Sequence, residues 1–120
     1  MAKGKILVVD DSPTQLNMIK APFEENGFQV VTAVDGEEAV ALAETEKPDL
    51  VVLDVIMPKL NGFQACRKIK NMRQDLPVIL LTSKNQKSDE FWGKKQGADV
   101  YMTKPFDSAE LFANATKLLS

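Results

Sequence analysis

The chain has no histidine. That absence removes most zinc sites, serine-type triads and any role as a histidine phosphocarrier. The single cysteine, Cys66, rules out an internal disulfide framework and suits a reducing compartment. No apolar run is long enough to span a bilayer. The run Ile6 to Val9 after the basic start Met1-Ala2-Lys3-Gly4-Lys5 is too short for a signal peptide, and Asp10-Asp11 breaks it. Charge of one sign is also lacking: the net charge is −2, so no nucleic-acid patch is implied. Internal repeats, low-complexity segments and linkers are missing. The expectation is one domain over residues 1–120, cytoplasmic, with neither nucleic acid nor membrane as partner.

The most informative stretch is Leu50-Val51-Val52-Leu53-Asp54 followed by Val55-Ile56-Met57-Pro58. Four successive apolar residues read as a strand buried on both faces. The run ends on a carboxylate, and an unpaired buried charge is costly. Met57-Pro58 ends the strand, which puts Asp54 at its carboxyl end, where open parallel sheets bind ligands.

The other elements follow in order. Lys5 to Val9 is a second buried strand, ending in Asp10 and Asp11. Ser12 is a good N-cap, Pro13 suits the first helical position, and Gln15 predicts a capping box. Leu16, Ile19 and Phe23 recur at helical spacing, whereas Pro22 predicts a kink or an early end, with Gly27 closing the helix. Gln29 to Ala33 is a weaker strand at an edge, Asp35-Gly36 a turn, and Glu37 to Thr45 a short helix with Ala39, Val40 and Ala43 inward. Asn61-Gly62 reads as a loop, and Phe63 to Met72 as a helix with Cys66 and Ile69 inward. Pro77 to Leu81 is a strand ending at Thr82-Ser83; Ser88 to Gln96 is a helix stopped by Gly97. Asp99 to Met102 is the last strand, followed by Thr103-Lys104-Pro105-Phe106. Asp107 with Glu110 starts a final helix whose Leu111, Ala115 and Leu118 share a face. Five strands alternating with five helices demand an α/β fold with a parallel sheet covered on both faces.

Successive strands thus end in Asp10 and Asp11, in Asp54 and in Thr82, and the last is followed by Lys104. Carboxylates crowded at one edge repel each other. A hard divalent cation relieves that, and oxygen ligands suit Mg2+. A carboxylate nucleophile, a metal, an ammonium and a hydroxyl are the parts needed to accept a phosphoryl group.

With these residues in place the chain resembles a response-regulator receiver domain of two-component signalling, of the CheY-like type. The resemblance rests on Val8-Val9-Asp10-Asp11, Leu53-Asp54-Val55-Ile56-Met57-Pro58, Asn61-Gly62, Leu81-Thr82-Ser83, Gly97-Ala98-Asp99 and Thr103-Lys104-Pro105-Phe106, which span essentially the whole chain. It implies a flavodoxin-like (βα)5 three-layer sandwich with sheet order 2-1-3-4-5, the order for which CheY is itself the standard example. It implies Asp54 as phosphoacceptor, with Mg2+ bound by Asp10, Asp11, Asp54 and the backbone carbonyl of Ile56. Lys104 would pair with phosphoryl oxygens, and Thr82 would hydrogen-bond the phosphoryl group and move toward it. Tyr101 matches the family's switching aromatic, and Lys104-Pro105 its cis peptide. The implied partners are a histidine kinase in trans and a downstream protein bound through the fourth helix, fifth strand and fifth helix. The implied state is a monomer or weak dimer, in motility or chemotaxis. Because no output domain follows Ser120, signalling is expected to act through that surface.

Taken singly, each residue has a plainer reading. Asp10-Asp11 cap a helix, Asp54 precedes a turn, Thr82 is a strand-end hydroxyl, Lys104 a solvated charge and Tyr101 a half-buried strand residue. Joint placement at successive strand ends outweighs those readings for all but Tyr101. Phe91 and Trp92 cannot both face inward on one helix, so one of them is expected to be exposed. Gly93 falls where close packing on the sheet is expected, and Ser83 where many relatives carry alanine. Ile56 and Lys84 are placed to screen an acyl phosphate. Two other functions compete: an aspartate-nucleophile phosphohydrolase, which usually carries an acid where Ile56 stands, and a phosphate-independent scaffold.

Overall fold

The computed structural model describes residues 4–120; residues 1–3, the first part of the basic start, lie outside the described residues. The elements are β1 (Lys5–Val9), α1 (Pro13–Glu25), β2 (Gln29–Ala33), α2 (Gly36–Thr45), β3 (Leu50–Leu53), α3 (Gly62–Met72), β4 (Val78–Thr82), α4 (Lys87–Lys95), β5 (Val100–Thr103) and α5 (Ser108–Leu119). All strand pairs are parallel, in the order β2-β1-β3-β4-β5. This is the flavodoxin-like sandwich expected from the sequence, with β2 at one edge.

The apolar runs are continuous because both faces of the sheet are covered. Ile6, Val8, Leu50, Val52, Ile79 and Leu81 face Leu16, Ile19 and Phe23 of α1 and Leu111 and Ala115 of α5. The alternate residues Leu7, Val9, Val51, Leu53 and Leu80 face Ala39 and Ala43 of α2 and Ala65, Cys66 and Ile69 of α3. Each fully buried aliphatic side chain contributes roughly 1.5–3 kcal/mol.

Several boundaries differ from the sequence reading. α1 continues through Pro22 to Glu25, where the chain turns at Gly27. Phe28 N–H donates to the Phe23 carbonyl (3.0 Å), and the two rings meet edge to face at 6.1 Å. Packing against Phe23 and Phe112 holds this end despite the proline. The capping box at α1 is only half made: Ser12 Oγ accepts from Gln15 N–H at 3.3 Å, while the Gln15 amide turns to Met18 Sδ and its oxygen is left without a partner. A full box forms instead at α3, between Asn61 and Gln64, where the sequence suggested only a loop. β4 and β5 each begin and end one residue later than expected. Pro77 has no N–H for the ladder, and the Asp99 carboxylate is occupied in accepting from Val78 N–H (2.8 Å) and Lys70 Nζ (2.8 Å).

Gly93 packs on the sheet as the sequence suggested. A Cβ there would stand 2.8 Å from the Tyr101 ring and 2.9 Å from Leu80 Cδ1. An unconstrained helical Gly→Ala change gains about 1 kcal/mol. Gly93→Ala is expected instead to destabilise by roughly 1–3 kcal/mol, as overpacked cores do. Urea unfolding measures the difference, and a gain in stability would show that the contact is slack.

Candidate functional site

The parallel register sets two acids side by side. Val9 pairs with Leu53, and the next residue of each strand is an aspartate. Asp54 N–H donates to the Val9 carbonyl (3.1 Å) and Asp10 N–H to the Ala33 carbonyl (3.1 Å), so both backbones are held by the ladder's last bonds. Their side chains are almost fully enclosed, at 1% exposure for Asp10 and 7% for Asp54. Lys104 joins them: its Nζ lies 2.6 Å from Asp10 Oδ2 and 2.9 Å from Asp54 Oδ2. The remaining oxygens accept backbone donors, Asp10 Oδ1 from Ser12 N–H (2.9 Å) and Asp54 Oδ1 from Ile56 N–H (3.1 Å).

One ammonium serves two buried carboxylates, and negative charge is in excess. Burial pushes the Asp10 carboxyl above its ordinary value, and the bonds from Lys104 and Ser12 do not cancel that rise, to which the charge of Asp54 adds. Burial alone would lower the Lys104 pKa, but its bonds to Asp10 and Asp54 outweigh it and the net shift is upward. Lys104 therefore stays charged.

The remaining predicted residues fall around this pair. Lys104 N–H donates to the Thr82 carbonyl (2.8 Å), which fastens the end of β4 to the lysine's own backbone. Thr82 is fully buried, and its hydroxyl oxygen accepts only a long bond from Lys84 N–H (3.4 Å). The Lys104-Pro105 peptide is cis. Ile56 is 53% exposed and lines, with Val55, Met57, Asn61, Phe63 and Lys84, a depression of about 340 Å³. Asp11 is exposed and, among the described residues, has no hydrogen-bond or ion-pair partner. No group of three His, Cys, Asp or Glu side chains among the described residues is gathered closely enough to hold a metal ion.

Tyr101 is half-buried between β4 and α4, in the space left by Gly93, and its hydroxyl donates to the Lys84 carbonyl (2.8 Å). Burial first, then the charges of Asp89, Glu90 and Asp54, push its phenol up to about 12, so it remains a donor at ordinary pH. Two contributors had no role assigned from the sequence. The Lys84 carbonyl, a main-chain atom in a polar loop, has no signature of its own. Gly62 does: it follows Asn61, and a Cβ there would fall 2.1 Å from the Asp54 carbonyl. Only glycine lets the start of α3 close over the residues after Asp54. A larger cavity, about 550 Å³ between α2 and α3, is lined by Ala43, Ile69, Met72 and Leu76 and contains none of these residues.

A five-stranded parallel sheet of this order, with a lysine bridging two enclosed carboxylates at the strands' carboxyl ends, defines a CheY-like signal receiver. The chain belongs to the response regulator receiver domain family, whose model matches residues 6–116. It is 46% identical over 119 residues to Protein PilH of Pseudomonas aeruginosa, covering 98% of each chain. It is 45% identical over 115 residues to the alkaline phosphatase synthesis transcriptional regulatory protein PhoP of Bacillus subtilis, covering 96% of this chain and 48% of that one. The Vibrio cholerae chemotaxis protein CheY4 superposes with a TM-score of 0.90 at 31% identity, covering 99% of both chains. Receivers of this family are phosphoacceptor switches of two-component signalling rather than conventional enzymes; they use Mg2+ and work between histidine kinases and downstream targets. Among the described residues no helix is long and apolar enough to cross a membrane.

Proposed function

We propose that residues 1–120 form one receiver domain acting as a stand-alone, cytoplasmic response regulator, with Asp54 as its phosphoacceptor. The observation that carries this reading is Lys104 spanning Asp10 and Asp54 in an enclosed acidic pair. An Asp54 carboxylate oxygen would attack phosphorus as the bond to the kinase's phosphohistidine breaks, and the leaving imidazole takes up a proton. Lys104 balances charge on the phosphoryl oxygens, and Thr82 donates to one of them once it moves. Tyr101 follows, and the surface of α4, β5 and α5 passes the change to a partner by shifting a two-state balance. The similarity to the chemotaxis protein CheY4 supports a role in chemotaxis or motility.

Mg2+ would fit this site by charge and donor type once the exposed Asp11 side chain turns toward the Asp10–Asp54 pair. Asp10, Asp11, Asp54 and the Ile56 carbonyl are hard oxygen donors, and the enclosed pair retains excess negative charge over Lys104 alone. When bound, the ion would neutralise charge developing on the transferring phosphoryl group. Mg2+ should raise the melting temperature, because it binds the folded cluster preferentially. Asp11→Ala is expected to lose that rise in differential scanning calorimetry; an unchanged rise would move the metal elsewhere.

Incubation with acetyl phosphate and Mg2+ tests the function. A persistent adduct on Asp54, found by mass spectrometry, is the expected result. Rapid release of phosphate would make the protein a phosphohydrolase, and no reaction would make it a scaffold. The hydrolase ranks lower because Ile56, apolar and exposed, stands where such enzymes need an acid. Ile56 and Lys84 line the depression beside Asp54, where they can exclude an attacking water. Ile56→Asn should accelerate loss of the phosphoryl group several-fold; equal rates in the two proteins would refute the shielding role.

A further inference from the structure

α4 leaves both its aromatic residues outside the core, Phe91 at 63% and Trp92 at 52% exposure. The sequence led us to expect one. Trp92, the sole tryptophan of the chain, borders a groove of about 400 Å³ between α3 and α4, whose other walls include Leu60, Phe63, Arg67, Lys68 and Gln96. Exposed apolar surface of this kind, rimmed by polar groups, marks interaction sites, and Trp and Arg are enriched among residues that dominate binding.

The charge around the groove is one-sided. α3 carries Arg67, Lys68 and Lys70 and no acid. α4 carries Lys87, Lys94 and Lys95 against Asp89 and Glu90. The two helices therefore hold a net +4 in a chain of net −2; Lys70 is paired with Asp99 outside them (2.8 Å), while the groove's own charged walls are Arg67 and Lys68, with no acid. Among the described residues neither Arg67 nor Lys68 meets a carboxylate. Hydrogen bonds brace the groove from wall to wall. Arg67 spans it, with Nε on Gln96 Oε1 (3.1 Å) and Nη2 on the Lys95 carbonyl (2.9 Å), and Lys95 Nζ lies over the Phe91 ring at 5.6 Å. A preformed groove spends little binding energy on ordering itself. Phe63 belongs both to this groove and to the depression beside Asp54.

We propose that the α3–α4 groove docks an acidic, amphipathic helix of a partner protein, with an aliphatic anchor against Trp92 and Phe63 and carboxylates toward Arg67 and Lys68. This site shares α4 with the α4–β5–α5 face but is walled by α3 instead of β5 and α5, and docking there does not require phosphorylation. The apolar floor favours a protein helix over a nucleic acid, and the unneutralised cations select an acidic one.

The test uses the full chain and a synthetic tryptophan-free helical peptide of about 14 residues, long enough to be partly helical alone. It carries leucines at helical spacing and glutamates elsewhere; a second peptide replaces each glutamate with lysine. The acidic peptide is expected to change Trp92 emission saturably and to bind more tightly at low salt, while the lysine peptide does not bind. Lys68→Glu should weaken binding up to about fivefold, the range of an exposed ion pair. Trp92→Ala, followed by calorimetry, should weaken it about 30-fold, as loss of a binding hot spot does. Lys117→Glu on α5 should leave binding unchanged, and circular dichroism verifies that each variant is folded. The proposal is overturned if the two peptides bind alike or neither binds, or if folded Lys68→Glu and Trp92→Ala bind normally. Loss of binding in Lys117→Glu would overturn it in favour of the α5 side. Tighter binding of a single-stranded oligonucleotide would assign the groove to nucleic acid. Self-association abolished by Lys68→Glu would assign it to a second copy of the chain.

Discussion

Asp54→Asn is expected to abolish phosphoryl uptake from acetyl phosphate and Mg2+ while leaving the protein folded. An amide is no nucleophile toward phosphorus, and among the described residues no other carboxylate is positioned to replace it. Asp10, among the described residues the only other acid on Lys104, has one oxygen on the ammonium at 2.6 Å and the other on Ser12 N–H. Asp11 is exposed and outside the pair. The substitution also removes one of two carboxylates that share one cation. What remains, Asp10 with Lys104, is balanced. The melting temperature in metal-free buffer should therefore be at least that of the wild type, although Asp54 is nearly buried. Mass spectrometry and calorimetry on one preparation measure both effects. Phosphorylation of the folded variant would place the acceptor elsewhere; unfolding would make Asp54 a structural residue first.

Lys104→Met should have the largest effect on stability. Two enclosed carboxylates would face each other with no cation between them. Removing one partner of a buried ion pair costs 3–5 kcal/mol, and the Lys104 side chain, at 15% exposure, is not entirely dry. A loss of about 3 kcal/mol is expected, on the order of 10 °C in melting temperature for a domain of this size. Mg2+ should restore much of it, since a dication supplies the missing charge and binds only the folded pair. Melting curves with and without millimolar Mg2+ give the answer. Wild-type stability without metal, or a loss that Mg2+ leaves untouched, would mean that the carboxylates do not strain against each other.

Both predictions depend on residues that were legible in the sequence, and on contacts that were not. Asp10, Asp54 and Thr82 are visible because each follows a run of buried apolar residues, a pattern that needs no tertiary information. Gly93 and Gly62 are visible as glycines where a helix or its start would prefer another residue, but the atoms they make room for, the Tyr101 ring and the Asp54 carbonyl, are not. Asp11 shows the limit. Its sequence neighbourhood is that of Asp10, yet one lies in the acidic pair and the other in solvent, because adjacent side chains leaving a strand point in different directions. The capping box failed at Gln15 and formed at Gln64 for a similar reason. Both residues have the right spacing, and the side chain's surroundings decide whether it turns back to the cap. Phe91 and Trp92 were expected to divide between core and surface. Gly93 takes the core position of α4, and both aromatics remain outside.

The sequence by itself determined the alternation of strands and helices, the coverage of both sheet faces and the identity of the strand-end acids. These follow from local periodicity and from the cost of leaving apolar runs in water. The tertiary structure alone decided that Lys104 reaches Asp10 and Asp54, 94 and 50 residues away along the chain, and that Tyr101 finds the Lys84 carbonyl. Such contacts depend on sheet order and register, which are set when the whole core packs and which no short stretch of chain encodes.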